Sequence, residues 1–301
     1  MSQTNIGDDE VDIVIGALHA DLTSFLNEWR PLFSRFHLII VKDPDLREGL
    51  KIPEGFNLHV YTKSDIDRVV GSSYTAINFS GYSCRYFGYL MSRKKYIFSV
   101  DDDCIPAKDD KGLSVDAVDQ HITNLATPAT LSSLTHSDHD APTQALKPGH
   151  RNSRYVDAVL TVPARALMPV SGVNIAFNRE LAGPALFPGL RLAAEGKLRW
   201  ETVEDIWCGL CVKVRQCHRK LEERVGRREA DGGSRPVLSV CEVSQAAVTT
   251  EDCVLEIVAL VKERLATLDP VFARAAQAMA DWIKLWKAVG SGSGSSRPSN
   301  G

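Results

Sequence analysis

The chain lacks the features that mark membrane-inserted, secreted and nucleic-acid-binding proteins. It has no apolar run of membrane-spanning length and no internal repeats, and its first ten residues are polar and acidic, so we expect no secretory leader. Its 35 Lys and Arg are scattered among 38 Asp and Glu, and the net charge of −3 disfavours a nucleic-acid-binding face. We therefore expect a globular protein of the cytosol, or one bound peripherally to a cytosol-facing surface, with a small ligand.

The seven cysteines lack the arrangement of a disulfide framework or a structural zinc site. Their odd number and irregular spacing are typical of a reducing compartment. Cys208-Gly209-Leu210-Cys211 could form a zinc or redox site, but structural zinc needs four ligands and the chain has no second Cys-x-x-Cys motif. The apolar neighbours Ile206 and Trp207 favour buried, inert thiols instead.

An apolar, β-prone segment ends in three consecutive carboxylates. Residues 94–100 predict a strand, and Asp101, Asp102 and Asp103 follow it directly. Adjacent carboxylates repel one another, and Mg²⁺ or Mn²⁺ relieves that repulsion, usually through one or two carboxylates together with phosphate oxygens. The alternative is a solvated acidic turn. Because open α/β sheets bind ligands at the carboxyl ends of their strands, the position favours a metal-dependent nucleotide-diphosphate site.

Strand and helix patterns alternate along the chain, which predicts an α/β fold with a single, mostly parallel sheet. Pro31 is expected to help end the first helix, and Ser64 to cap the second. The predicted strands are residues 11–15, 36–41, 56–61, 94–100, 154–163 and 173–177, in a sheet of more than six strands, and the predicted helices are 22–33, 64–70, 83–92 and 115–125.

The pattern also predicts how the chain is divided. Residues 1–9 are a flexible N-terminus, 10–248 a nucleotide-binding α/β domain, 249–288 a helical segment of the same domain, and 289–301 a disordered tail rich in Gly and Ser. Asp269-Pro270 splits the helical segment into two helices. These helices are expected to serve packing or assembly.

Two further groups of residues are candidates for function. The turn Gly16-Ala17-Leu18 follows the first strand, where a nucleotide could lie. Glu204 and Asp205 precede an apolar helix, so they either complement its N-terminal charge or take part in catalysis. Separately, Asp101-x-Asp103 after a strand resembles the nucleophile motif of aspartyl-phosphate phosphatases, although those enzymes usually begin with this strand.

Several motifs in one order resemble a known family, the reversibly glycosylated polypeptides of plants and green algae, or UDP-arabinopyranose mutases. The likeness covers about residues 10–215 and 247–287. The motifs are Trp29-Arg30-Pro31, Cys84-Arg85-Tyr86-Phe87-Gly88-Tyr89, Asp101-Asp102-Asp103-Cys104, Asp140-Ala141-Pro142-Thr143-Gln144 and Arg151-Asn152-Ser153-Arg154-Tyr155-Val156-Asp157-Ala158-Val159.

The resemblance implies a fold similar to metal-dependent, GT-A type glycosyltransferases with a Rossmann-like sheet. It implies an intramolecular transferase that interconverts UDP-arabinopyranose and UDP-arabinofuranose for cell-wall polysaccharide, in the cytosol or peripherally on the cytosolic face of the Golgi. Homo- or hetero-oligomers with related mutase subunits are expected. The implied sites are Mn²⁺ or Mg²⁺ at Asp101, Asp102 and Asp103 (a DXD motif), substrate at Gly16, Ala17, Leu18, Asp43, Arg85 and Asn174, and catalysis at Glu204 and Asp205.

The chain departs from this family in two intervals. Family members have a long aromatic- and Gly-rich segment that includes the arginine at which they glycosylate themselves; here that interval is only residues 126–139, and the arginine is missing. Residues 216–248 lack a family segment with a metal-binding histidine. Gly81 stands where the family tends to have an acid. The alternative function is therefore a catalytically impaired UDP-sugar-binding member that acts as a subunit of a mutase complex.

Overall fold

Five of the six strands that the sequence predicts form one sheet. A computed structural model describes residues 6–74, 76–109, 111–126, 170, 172–188, 208–209 and 249–291. Within this part of the chain the sheet has five strands in the order β3-β2-β1-β4-β5; the first four are parallel and β5 runs antiparallel to β4. The strands are β1 Val11–Ala17, β2 His37–Lys42, β3 Asn57–Tyr61, β4 Tyr96–Asp101 and β5 Asn174–Asn178. The predicted strand at 154–163 lies outside the described residues, so the larger sheet stays a prediction.

Helices cover both faces of the sheet, which confirms the predicted α/β class. Helices α1 and α4 pack on one face in one apolar cluster, and α2, α3, α6 and α7 belong to the cluster on the other face. The described helices are α1 Thr23–Phe33, α2 Lys63–Val70, α3 Cys84–Met91, α4 Ala117–Ala126, α5 Arg179–Ala182, α6 Thr250–Arg264 and α7 Pro270–Ser291, with 3₁₀ turns at Asp8–Glu10, Gly81–Ser83 and Gly183–Ala185.

Helix α1 ends at Phe33 as predicted, and Pro31 lies inside its last turn, where the ring centres of Trp29 and Phe33 are 4.6 Å apart. Two other helix ends differ from the prediction. The N-cap of α2 is Thr62 rather than Ser64, and its backbone N–H donates to the Asp65 carboxylate at 2.9 Å. Helix α7 continues to Ser291, into the range that was predicted as tail.

The strand order creates a crevice between β1 and β4. From β1 the chain passes through α1 to β2 on one side, whereas β4 pairs with the other side of β1 and is preceded by α3 on the opposite face. In such a sheet the crevice outside the carboxyl ends of the two strands, at the point where the order reverses, is the usual ligand site. In the register, Gly16 lies beside Asp101, so the turn after β1 and the Asp triplet border this crevice together.

Helix α3 approaches the sheet closely because it carries a glycine. A methyl group added at Gly88 would lie 2.5 Å from Val14 Cγ1 and 3.2 Å from Val41 Cγ2, which are buried side chains of β1 and β2. Gly16 of β1 also permits this close approach, since a methyl group there would lie 3.0 Å from Cys84 Sγ of α3. The two glycines therefore set the distance between α3 and the strands that border the crevice.

The C-terminal helices pack against the sheet domain. Trp282 Nε1 donates to Gly183 O at 3.2 Å, and the Arg179 guanidinium lies 4.4 Å from the ring centre of Trp286. Burial, as the largest cause, lowers the pKa of Arg179 to about 10. The positive charge of Arg93 lowers this pKa further, and the negative charge of Glu180 opposes the shift more weakly. No helix in the described ranges is long and apolar enough to span a membrane.

We expect Gly88→Ala to destabilise the protein. The added methyl group overlaps a buried, β-branched neighbour, and overpacking of this kind costs about 1–3 kcal/mol, against about 1 kcal/mol gained in helix propensity. The free energy of unfolding, measured by urea denaturation, should fall. Gly290→Ala is the matched control, because Gly290 lies in α7 with no atom within 4 Å of an added methyl group. Equal stability of both variants would contradict the close approach of α3.

Candidate functional site

The Asp triplet sits in a turn that the surrounding backbone holds at the carboxyl end of β4. The Asp101 N–H donates to Val173 O at 3.0 Å, next to β5, and the Cys104 N–H donates to Asp101 O at 3.2 Å. Trp29 Nε1 of α1 donates to Cys104 O at 2.9 Å. The turn is thus attached to β5 on one side and to α1 on the other.

Asp101 forms a buried ion pair with Arg85 of α3. Arg85 Nη1 lies 2.6 Å from Asp101 Oδ1, and both side chains are about nine-tenths buried. The same guanidinium donates to Tyr82 O through Nε at 2.8 Å and to Gly172 O through Nη1. Burial alone would lower the pKa of Arg85, but the adjacent Asp101 carboxylate holds it above its usual range, so the guanidinium stays charged.

Asp102 binds the turn after β1. Its Oδ2 accepts hydrogen bonds from the Leu18 and His19 N–H groups at 2.7 and 2.8 Å, and its Oδ1 lies 3.1 Å from His19 Nδ1. The Asp102 side chain is only 1% exposed, whereas that of His19 is 64% exposed. The carboxyl ends of β1 and β4 are therefore joined by one buried carboxylate.

Asp103 is the exposed member of the triplet. Its Oδ1 lies 3.9 Å from Cys104 Sγ, a weak contact. Within the described ranges, no three His, Cys, Asp or Glu side chains are grouped so that they could hold a metal ion. The role of Asp101, Asp102 and Asp103 as metal ligands stays a prediction, and Asp103 has the carboxylate most open to a cation from solvent.

Asp43, a predicted substrate residue, connects three segments at this edge of the sheet. Its N–H donates to Ala17 O at 3.0 Å, and its Oδ1 accepts from the Gly81 N–H at 3.0 Å and the Asp45 N–H at 3.1 Å. Gly81 has a φ of +61°, in the left-handed region that favours glycine. Tyr82 follows it and is 43% exposed beside Arg85. Asp43 thereby holds the segment that leads into α3.

Asn174 lies at the start of β5, beside Val100 in the register. Its Oδ1 is 3.0 Å from Nε2 of His121, which belongs to α4. Val100 is part of the cluster on the α1 and α4 face, so Asn174, its partner in the register, lies on the face of the sheet opposite α3 and Arg85. Its role in substrate binding stays a prediction.

The structure brings most of the predicted site residues to one edge of the sheet. Glu204 and Asp205 lie outside the described residues, so their catalytic role stays a prediction. Sequence reasoning missed two histidines, His19 and His121. The signal for His19 was available, since it directly follows the turn after β1 that was expected to contact a nucleotide. The residues that gather at this edge are Gly16, Ala17, Leu18, Asp43, Arg85, Asp101, Asp102, Asp103 and Asn174.

The chain belongs to the reversibly glycosylated polypeptide family, whose sequence profile matches residues 6–135, 131–227 and 231–291. A protein of Arabidopsis thaliana named "Probable UDP-arabinopyranose mutase 5" is 50% identical, over 97% of this chain and 99% of its own. "Probable inactive UDP-arabinopyranose mutase 2" of Oryza sativa subsp. japonica is 47% identical, over 95% and 98%. "UDP-arabinopyranose mutase 1" of Arabidopsis thaliana is 36% identical, over 92% of each chain.

The family profile does not match the chain as one uninterrupted piece. The profile matches in three pieces, and the junctions at 131–135 and 227–231 fall inside the intervals 126–139 and 216–248. The alignment with the 50% identical relative runs over 347 residues, more than the 301 of this chain, so the relative carries residues that this chain lacks.

We expect Arg85 and Asp101 to be strongly coupled in stability. Arg85→Met leaves a buried carboxylate without its partner and should lower the free energy of unfolding by about 3–5 kcal/mol, and Asp101→Asn should be costly for the same reason. The double variant should lose clearly less than the sum of the two, measured by urea denaturation as a double-mutant cycle.

The matched control is Arg68→Met. Arg68 and Asp65 form an ion pair of similar length, 2.7 Å, but the Arg68 side chain is 64% exposed. Such a surface pair contributes at most about 1 kcal/mol. If the two single changes at Arg85 and Asp101 simply added, the buried pair would not be the interaction that fixes Asp101.

Proposed function

We propose that this protein is an intramolecular transferase of the UDP-arabinopyranose mutase type, which interconverts UDP-arabinopyranose and UDP-arabinofuranose for cell-wall polysaccharide. The observation that carries the proposal is the Asp triplet at the crevice between β1 and β4, in a chain that belongs to this family. Relatives named as UDP-arabinopyranose mutases match over nearly its whole length. The substrate would be a UDP-sugar. The protein would be located in the cytosol or peripherally on the cytosolic face of the Golgi.

The donor set at the crevice fits a hard divalent cation. Carboxylate oxygens are the ligands that Mg²⁺ and Mn²⁺ prefer, and Asp103 offers such oxygens on the exposed side of the turn. Asp101 lies in the same turn, and one of its carboxylate oxygens is paired with Arg85. Asp102 already accepts hydrogen bonds from three donors in the turn after β1, so its carboxylate chiefly holds that turn. When bound, the cation would supply positive charge that stabilises the diphosphate as the anomeric C–O bond opens.

The residues of the chain itself position the substrate. Arg85 pairs with Asp101 and holds it in place, and Asp43 holds the segment that carries the exposed Tyr82 ring beside the site. Glu204 and Asp205 are proposed to orient sugar hydroxyls or to move a proton.

The second candidate is a catalytically impaired member that binds UDP-sugar as a subunit of a mutase complex. It is favoured by the two intervals, 126–139 and 216–248, in which family segments are expected to be missing, and by the 47% identical relative whose name includes "inactive". The C-terminal helices α6 and α7 would then take part in assembly with related subunits.

An assay of product separates the two candidates. Purified protein with UDP-arabinopyranose and Mn²⁺ should yield UDP-arabinofuranose, resolved by chromatography. If no furanose forms while UDP with Mn²⁺ still raises the melting temperature, the impaired member is the correct description. A ligand at 100 times its Kd stabilises the folded state by about 2.7 kcal/mol, which such a scan resolves. Absence of both product and thermal shift would contradict both candidates.

We expect Asp103→Ala to abolish the Mn²⁺-dependent thermal shift by UDP. The change removes the exposed carboxylate of the triplet and leaves the contacts of Asp101 and Asp102 in place, so stability without ligand should change little. Asp67→Ala is the control, because Asp67 is an exposed aspartate of α2 paired only with Lys63 among the described residues. A full thermal shift in Asp103→Ala would exclude the assignment of the cation to the triplet.

A further inference from the structure

His19 is the residue at the crevice that the proposed function leaves without a role. It follows β1, and its ring lies against Asp102 with Nδ1 at 3.1 Å from Oδ1, while its backbone N–H donates to Oδ2 of the same carboxylate at 2.8 Å. The Asp102 side chain is 1% exposed and therefore fixed, whereas the His19 side chain is 64% exposed. A buried acceptor thus orients an exposed imidazole.

This contact determines which nitrogen carries the proton. A carboxylate only accepts hydrogen bonds, so Nδ1 must be the protonated nitrogen of the neutral ring. Nε2 is then an acceptor with its lone pair directed away from Asp102. Among the described residues Nε2 has no hydrogen-bond partner.

The position of His19 places this acceptor beside a ligand in the crevice. Gly16 lies next to Asp101 in the register, so the residues that follow each of them, up to His19 and Asp103, leave the sheet side by side. They do so at the point where the strand order reverses, which is where open α/β sheets bind their ligands.

The chemistry of the acceptor selects the group that it can bind. A hydroxyl group can donate a hydrogen bond to Nε2 or accept one from it, so it can pair with this nitrogen in either protonation state of the ring. A hydroxyl group carries the donor that is needed, and a nucleotide sugar has hydroxyl groups on its ribose and on its second sugar.

We propose that His19 binds a hydroxyl group of the nucleotide sugar through Nε2, with Asp102 fixing the tautomer and orientation of its ring. The proposal rests on the proposed function for the nature of the substrate. It makes Asp102 a positioning residue for substrate recognition, in addition to its part in holding the turn after β1.

The test is binding, measured by calorimetry with Mn²⁺ and without turnover, for UDP, 2′-deoxy-UDP, 3′-deoxy-UDP and UDP-arabinopyranose. His19→Asn keeps an N–H donor in place of Nδ1 for Asp102 but removes the acceptor at Nε2. Its affinity for UDP-arabinopyranose should fall about tenfold, as expected for one hydrogen bond. His19→Gln, which can again present an oxygen acceptor, should recover part of that affinity.

The nucleotides identify the source of the hydroxyl. If it belongs to the ribose, His19→Asn weakens UDP binding too, and one of the two deoxy nucleotides binds wild type and variant equally. If it belongs to the second sugar, only binding of UDP-arabinopyranose weakens. His59→Asn is the matched control, since His59 lies on β3 against Tyr61. This variant should bind every nucleotide as the wild type does.

Other outcomes would overturn the proposal. Wild-type affinity in His19→Asn would mean that Nε2 makes no contact. Wild-type affinity in His19→Asn together with weak nucleotide binding by His19→Ala would mean that His19 only supports Asp102. Should His19→Asn fail to fold, equal affinity of wild type and His19→Ala would decide against the contact. A wild-type protein that binds none of the nucleotides contradicts the proposed function itself, whereas wild-type binding with unaffected variants contradicts only this inference.

Discussion

The close approach of α3 to β1 and β2 is the constraint on which the site depends. It exists because Gly88 and Gly16 present no side chain where helix and strands meet. Arg85 lies one turn before Gly88 on the same helix, so the approach brings its guanidinium within 2.6 Å of Asp101 at the end of β4. A larger separation would leave the Asp101 carboxylate buried without a counter-charge, a costly state in a protein interior. Packing and electrostatics are therefore linked at this point.

Three adjacent carboxylates repel one another, and the fold reduces that repulsion by giving each a different environment. Asp101 has a guanidinium, Asp102 has two backbone N–H groups and an imidazole, and Asp103 has solvent. The first two carboxylates connect α3 and β1 to the end of β4. The triplet is thus partly a structural junction at the crevice, and a cation would have to balance chiefly the charge of the third carboxylate.

The elements of the fold were predictable where local pattern and burial agree. Residues 11–15 and 36–41 are apolar runs bounded by turn residues, and they form β1 and β2 almost as predicted. Prediction failed where tertiary contacts decide the structure. The pairing of Asp102 with His19, 83 positions apart, depends on the β1–β4 register, which no local pattern contains. The triplet itself was visible, but the partner of each carboxylate was not.

The described contacts that form the crevice involve no residue of the two intervals in which the chain is expected to depart from the family. These contacts come from the ends of β1, β2 and β4, from α3 and from the start of β5, all within residues 16–104 and 172–174. The intervals in which family segments are expected to be missing, 126–139 and 216–248, begin at the end of α4 and end before α6 in the sequence. The described contacts of Asp101 and Asp102 are made with residues outside both intervals. Nucleotide binding therefore tests these contacts apart from any later step that needs the missing segments, and this is why binding and turnover have to be measured separately.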